Sequence, residues 1–261
     1  MKIKPIRQIN TITPQYQANM AQTFDLPNDS FEKSNKTETV ELKQKNGKPW
    51  FVEYNGKDKA YIFKKVFNPE TQQIEKEKIE VCVGKRQFGS VCSYYLFDKK
   101  AKIELGYITI REERDNFADS ALSKDYPEYG IFGPRINIDF VENVYPDEYS
   151  GVGEVADQIA LEHCLKENMP LQIVSVAEKG SVIAHYKRGR KFFPVEGRDA
   201  LRFIVEFGTN DPNKIIEERI KQNPDNKNIY CDDIYKTYMY MPEEVVEKYL
   251  ERIKEKPILH E

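Results

Sequence analysis

What this chain lacks narrows its chemistry first. It has only four cysteines, Cys82, Cys92, Cys164 and Cys231, and no two form a CxxC pair. Disulfide frameworks and Cys-based zinc sites are therefore without support, and a reducing cytoplasm is the expected setting. Histidine is scarce, with three in 261 residues. His163 and His185 show no metal-ligand spacing with a carboxylate or a cysteine, so no metal is expected. His163 adjoins Cys164, but adjacent helix positions do not face each other, which argues against a Cys–His nucleophile. No apolar run is long enough to cross a membrane. The basic start Met1-Lys2-Ile3-Lys4-Pro5 lacks the apolar stretch of a secretory signal. Net charge is only −3, from 40 Lys and Arg against 43 Asp and Glu. Without a chain-wide basic footprint, nucleic acid is not an expected partner.

What is present suits a folded protein with a well-solvated surface. Charged residues make up 32% of the chain, and 16 Tyr, 14 Phe and one Trp argue against general disorder. The length fits one large domain or two small ones. Residues 1–46 are polar and poorly periodic and read as an arm. Residues 47–261 read as the folded domain, with a helical extension at the C-terminal end.

Residues 50–111 are rich in strand patterns. Residues 59–67 and 74–83 alternate around the turn Asn68-Pro69-Glu70-Thr71. Residues 88–97 and 102–111 read as a hairpin around Asp98-Lys99-Lys100-Ala101. Residues 112–134 read as a long loop, or a short helix plus loop. In residues 135–144, Ile136, Ile138 and Phe140 alternate, and the phase breaks at Phe140-Val141. Either a β-bulge or the end of the strand would do that.

Val152, Val155, Ala156, Ile159, Ala160 and Cys164 recur at helical spacing and predict an amphipathic helix ending before Pro170. A buried strand over 171–177, a short helix over 179–188 and a strand start at 191–193 follow. Asp211-Pro212 opens another helix. Residues 235–241 alternate as a strand, Pro242 opens the last helix, and the tail from Lys254 is expected to fray.

The chemistry-bearing stretch is Ser150-Gly151-Val152-Gly153. A helix N-terminus has unpaired N–H groups and partial positive charge, and glycines let a phosphate approach the backbone. Lys187, Arg188, Arg190 and Lys191 form the densest basic cluster, suited to a phosphate or an acidic acceptor.

Several features together resemble the GNAT superfamily of acyl-CoA N-acyltransferases. They are Val144-x-Pro146, Gly151-x-Gly153, the helix, the strand, and Tyr186-Lys187-Arg188-Gly189-Arg190-Lys191-Phe192. Upstream, Leu96-Phe97-Asp98-Lys99 leading to Gly106-Tyr107-Ile108-Thr109-Ile110 is similar to the family's hairpin. The resemblance spans roughly residues 88–195. It departs from the family at Glu148, Glu154 and Lys179, in a loop before Gly151 about one residue short, and in strands at 50–87 where two helices are usual.

The resemblance implies an α+β fold, with a mixed, mostly antiparallel sheet flanked by helices. It implies acetyl-CoA or another acyl-CoA as co-substrate, held by Val144, Ser150, Gly151, Val152, Gly153, Glu154 and Lys179. An unidentified amine would attack the thioester, Asp139 or Glu142 would take its proton, and Tyr186 would protonate the departing thiolate. The alternative is an inactive module of the same shape that binds a ligand or protein partner. Either leaves room for a homodimer.

Overall fold

The computed structural model describes residues 37–114, 134–223, 229–234 and 237–260, with the side chains of Arg198 and Asp232 left outside the description. Alternating apolar residues set the first half of the sheet. β3 (Lys59–Asn68) and β4 (Gln73–Phe88) pair along ten positions, and the Asn68 side chain closes their turn by accepting from the N–H groups of Glu70 and Thr71. β5 (Val91–Asp98) and β6 (Ile103–Glu113) follow as a hairpin, with Asp98 accepting from the amides of Lys100 and Ala101. β7 (Arg135–Asn143) lies antiparallel to β6. β1 (Glu38–Lys43) and β2 (Pro49–Tyr54) form a separate hairpin joined to β6 and β4 by single bridges. β1 falls inside the stretch expected as a polar arm, and residues 1–36 of that stretch lie outside the described residues. So does most of the loop expected over 112–134.

The chain then runs through β8 (Tyr149–Ser150), α1 (Val152–Lys166), β9 (Ile173–Ala177), α2 (Val182–Lys187) and β10 (Lys191–Phe192). α3 (Gly197–Phe207), α4 (Pro212–Gln222), β11 (Thr237–Tyr240) and α5 (Glu243–Glu255) complete it. Among the described residues the sheet has 11 strands, mixed and mostly antiparallel, and the class is α+β. No described helix is long and apolar enough to cross a membrane.

Three apolar clusters divide the interior formed by the described residues. The largest joins α1 and α5 to one face of the sheet through residues such as Ile108, Ile138, Val155, Ile159 and Leu250. A second lies on the opposite face, where Val40, Leu42, Val52 and Tyr54 of the β1–β2 hairpin cover Tyr95 and Phe97. The third gathers α2, α3 and α4 around Phe192, Phe203, Ile216 and Met239.

Four expectations change. The bulge is present one residue early: Ile110 faces Ile138 and Thr109 faces Phe140, so Asp139 is the inserted residue. From there Val141 packs with the main core, while Phe140 turns to the other face. α1 is not amphipathic in effect, because Asp157, Gln158, Glu162 and His163 are buried along with its apolar positions. α3 was not read from the sequence at all. The tail does not fray: the Glu162 carboxylate accepts from the amides of Ile258 and Leu259, and both side chains are buried.

Candidate functional site

The site grows from one interruption in the sheet. β7 and β9 pair in parallel at Ile136–Ile173, Asn137–Val174 and Ile138–Ser175, and the ladder ends there. The bulge at Asp139 follows at once, and an inserted residue of this kind bends its strand. β9 continues to Ala177, paired on its other edge with β11. A gap in the ladder thus lies between β7 and β9 beyond Ile138 and Ser175.

α1 begins after a short strand that fixes its entry. Ser150 pairs with Phe63 of β3, and Gly151 follows with φ 96°, a conformation that favours glycine. Val152 is buried against Gly106, where an added Cβ would meet Val152 Cγ1 at 3.0 Å and the Glu142 carbonyl oxygen at 2.7 Å. Gly106 is therefore what lets α1 approach the sheet so closely. Gly153 faces Arg188: a Cβ there would sit 2.7 Å from Arg188 Nη1.

Arg188 belongs to a buried polar cluster under the first turns of α1. Its Nε donates to Asp157 Oδ2 at 3.0 Å, and Arg190 Nη2 donates to Asp157 Oδ1 at 2.6 Å. Arg190 also donates to Ser175 on β9, and Arg188 Nη2 donates to His185 Nδ1 at 2.6 Å. Burial opposes ionisation of Asp157, but Arg190 and Arg188 outweigh it and hold the carboxyl below its usual range. Burial, then Arg188 and Arg190, push His185 down to about 3, so the imidazole stays neutral. Two guanidiniums thus face one carboxylate, an excess of positive charge beside a helix N-terminus.

The other residues expected at the cofactor are placed as follows. The Val144 amide donates to the Leu105 carbonyl, and its own carbonyl accepts from Lys45 Nζ. Ser150 Oγ is buried without a hydrogen-bond partner among the described residues. Glu154 is exposed and turned toward Arg252, 3.9 Å away on α5. Lys179 is exposed in the turn before α2.

Of the residues expected to do chemistry, Tyr186 is half-buried in the third cluster. Its hydroxyl donates to Glu217 Oε1 of α4 at 3.1 Å, and burial, then Glu217, push the phenol up to about 12. Asp139 accepts from Arg111 Nη2 at 2.6 Å. Glu142 lies opposite Tyr107, whose phenol is pushed up to about 12 by burial and then by Glu142. Beside them stands Glu104, which the sequence reading missed. It is buried, and burial followed by the Glu142 charge pushes its carboxyl up to about 7. Only strand register brings these two carboxyls together, so no local pattern announces them.

The expectation for the histidines also changes. Glu112, His163 and Glu167 bring donor atoms within 4.8 Å of one another, a grouping that could hold a cation. Here Arg114 bridges the two carboxylates, at 2.6 Å to Glu112 and 3.0 Å to Glu167. His163 Nε2 lies 2.9 Å from Glu112 Oε1, and Nδ1 lies 2.8 Å from the Tyr94 hydroxyl. A neutral imidazole satisfies both contacts by donating to Glu112 and accepting from Tyr94. The spacing of His163, in the last turn of α1, and Glu167, the residue that caps it four positions on, was the legible signal.

No family model and no curated protein matches this chain. A solved structure titled "AtaT complexed with acetyl-methionyl-tRNAfMet" superposes with a TM-score of 0.33 at 12% identity, over 62% of this chain and 76% of that one. So loose a superposition identifies neither a family nor an activity.

Proposed function

We propose that this chain is a GNAT-like N-acyltransferase that moves an acetyl or other acyl group from acyl-CoA to an amine. One observation carries the reading: β7 parts from β9 at the Asp139 bulge, beside a helix N-terminus with an uncompensated guanidinium. The first turn of α1 and Arg188 would hold the pyrophosphate through N–H groups and charge. The parted strands would take the thioester, with β7 main-chain N–H groups beyond Ile138 polarising its carbonyl. Glu142, coupled to Glu104, would accept the proton of the attacking amine as the C–N bond forms and the C–S bond breaks. Tyr186 would give a proton to the thiolate. A phenol raised to about 12 is a weak acid, so its contribution should be small. Glu154, turned toward Arg252, does not weigh against the reading.

The test is calorimetric titration with CoA. Gly151 is a poor place to probe the turn, because φ 96° strains any side chain. Gly153→Ala is cleaner, since the new Cβ displaces only the end of the flexible Arg188. Gly153→Ala and Arg188→Gln should each weaken CoA about tenfold, as expected for one charge-assisted contact. Undetectable CoA binding by the native chain would leave a module without this activity. Unchanged affinity in both variants would remove α1 from the site.

A further inference from the structure

Two bulges build a second feature on the face of the sheet opposite α1. In the β5–β6 pair, Leu96 faces Gly106 and Phe97 faces Glu104, so Leu105 is an inserted residue. Its insertion turns Glu104 to the face that carries Tyr107. The bulge at Asp139 does the same for Phe140 and Glu142. An aromatic row results across four strands. Trp50 lies 5.8 Å from Tyr95, Tyr95 stacks on Tyr107 at 6.0 Å, and Tyr107 stacks on Phe140 at 6.1 Å with the rings 7° from parallel. The row runs from the β1–β2 hairpin, which supplies Trp50, to β7 where its pairing with β9 has ended. Its outer end, Phe140, is 58% exposed.

Glu104 and Glu142 line this row. Glu104 is only 5% exposed, and its Oε2 has no hydrogen-bond partner among the described residues. Trp50 Nε1 is likewise buried and unpaired. A buried carboxyl without a donor is costly and is rarely kept without use. No Lys or Arg among the described residues makes an ion pair with Glu104 or Glu142. Arg86 stands over the Trp50 ring, 4.2 Å from its centroid, at the far end of the row. Negative charge between aromatic faces is the surrounding that attracts an organic cation.

We propose that this face binds a primary ammonium group carried on a flat apolar body. Glu104 and Glu142 take the ammonium, and Tyr107 and Phe140 take the apolar part. On the acyltransferase reading, from which this assignment to the acceptor follows, the acceptor is such an amine, delivered to the gap along Phe140.

The probe is phenethylammonium, titrated calorimetrically into the full chain without CoA at constant ionic strength, with 2-phenylethanol as its neutral isostere. Saturable binding at millimolar concentrations is expected, and the alcohol should bind at least about tenfold more weakly. Glu104→Gln should weaken the amine by a similar factor. The exposed Glu142→Gln, which has no packing role to lose, should do the same and guards against a misfolded Glu104 variant. Equal binding of amine and alcohol, unchanged binding in both variants, or no binding by the native chain would overturn the proposal. Amine binding in a chain that fails to bind CoA would sustain this site and remove acyl transfer. CoA binding without amine binding would do the reverse.

Discussion

The two ends of α1 both bury ionised groups, and they balance them differently. At the C-terminal end Glu162 is spent on the fold. Its oxygens accept from the amides of Ile258 and Leu259 and from the Gln158 side chain. Glu112, Glu167, Arg114 and His163 close a second network beside it. At the N-terminal end one carboxylate, Asp157, serves two guanidiniums while His185 stays neutral. The first arrangement returns its polarity to the chain itself. The second keeps positive charge in reserve beside a glycine turn, which is what an anion site needs and a purely structural network does not.

The sharpest way to break that comparison is to remove Asp157. The Arg190 side chain is fully buried, so Asp157→Asn strands its charge in the interior and leaves Arg188 without its carboxylate. Breaking a buried pair from one side typically costs about 3–5 kcal/mol. Urea denaturation should show a loss of that size. A loss below about 1 kcal/mol, the range of exposed pairs, would mean that both arginines relax to solvent and that no charge is held in reserve.

Glu162 tests the other end. Glu162→Gln keeps one acceptor oxygen but loses the charge that strengthens the bonds to Ile258 and Leu259. A loss of about 2 kcal/mol is expected for hydrogen bonds to a charged group. Amide exchange at Ile258 and Leu259 should accelerate while the strands β5 and β6 keep their protection. Unchanged exchange at those two amides would mean that packing of the Ile258 and Leu259 side chains, and not the carboxylate, holds the tail.

Local pattern made much of this molecule legible, and distance in the chain hid the rest. The strands of the first half, the Gly151–Gly153 turn and the Asp211 cap could be read from neighbours alone. The bulge was read one residue late because Phe140 is apolar and was assigned to the core face, whereas it stacks on Tyr107 at the surface. α3 escaped although its apolar residues gather on one broad face, and the fold covers only part of that face: Phe203 is buried, and Leu201, Ile204 and Val205 are exposed. The tail, Glu104 and the Glu112–His163 contact depend on partners that only the register of β6 and the packing of α1 supply. Asp157 was invisible for the same reason, since its arginines follow more than thirty residues later.

The last effect is one of pH, and it separates the two ends by a histidine each. Burial holds both His185 and His163 below the usual imidazole range, His185 at about 3. Both are held toward the neutral form when folded, and each takes a proton when unfolded, below about pH 6.5. Stability from each is therefore complete above that pH and falls as pH drops toward the folded value. The slope is at most about 1.4 kcal/mol per pH unit for each proton taken up. Asp157 and Glu112, both held below the usual carboxylate range, add the same sign at lower pH. Between pH 6.5 and 4.5 His185 contributes a downward slope of close to one proton, and His163 adds to it. Glu104 and Glu162, both raised by burial, bind protons on folding and oppose them. His185→Gln should remove about one proton from the net slope of the unfolding free energy, and the amide can still accept from Arg188. The decisive reading is the slope in that variant. If it equals that of the native chain, His185 is not held neutral by Arg188 and Arg190, and the positive excess assigned to the N-terminal end is compensated elsewhere.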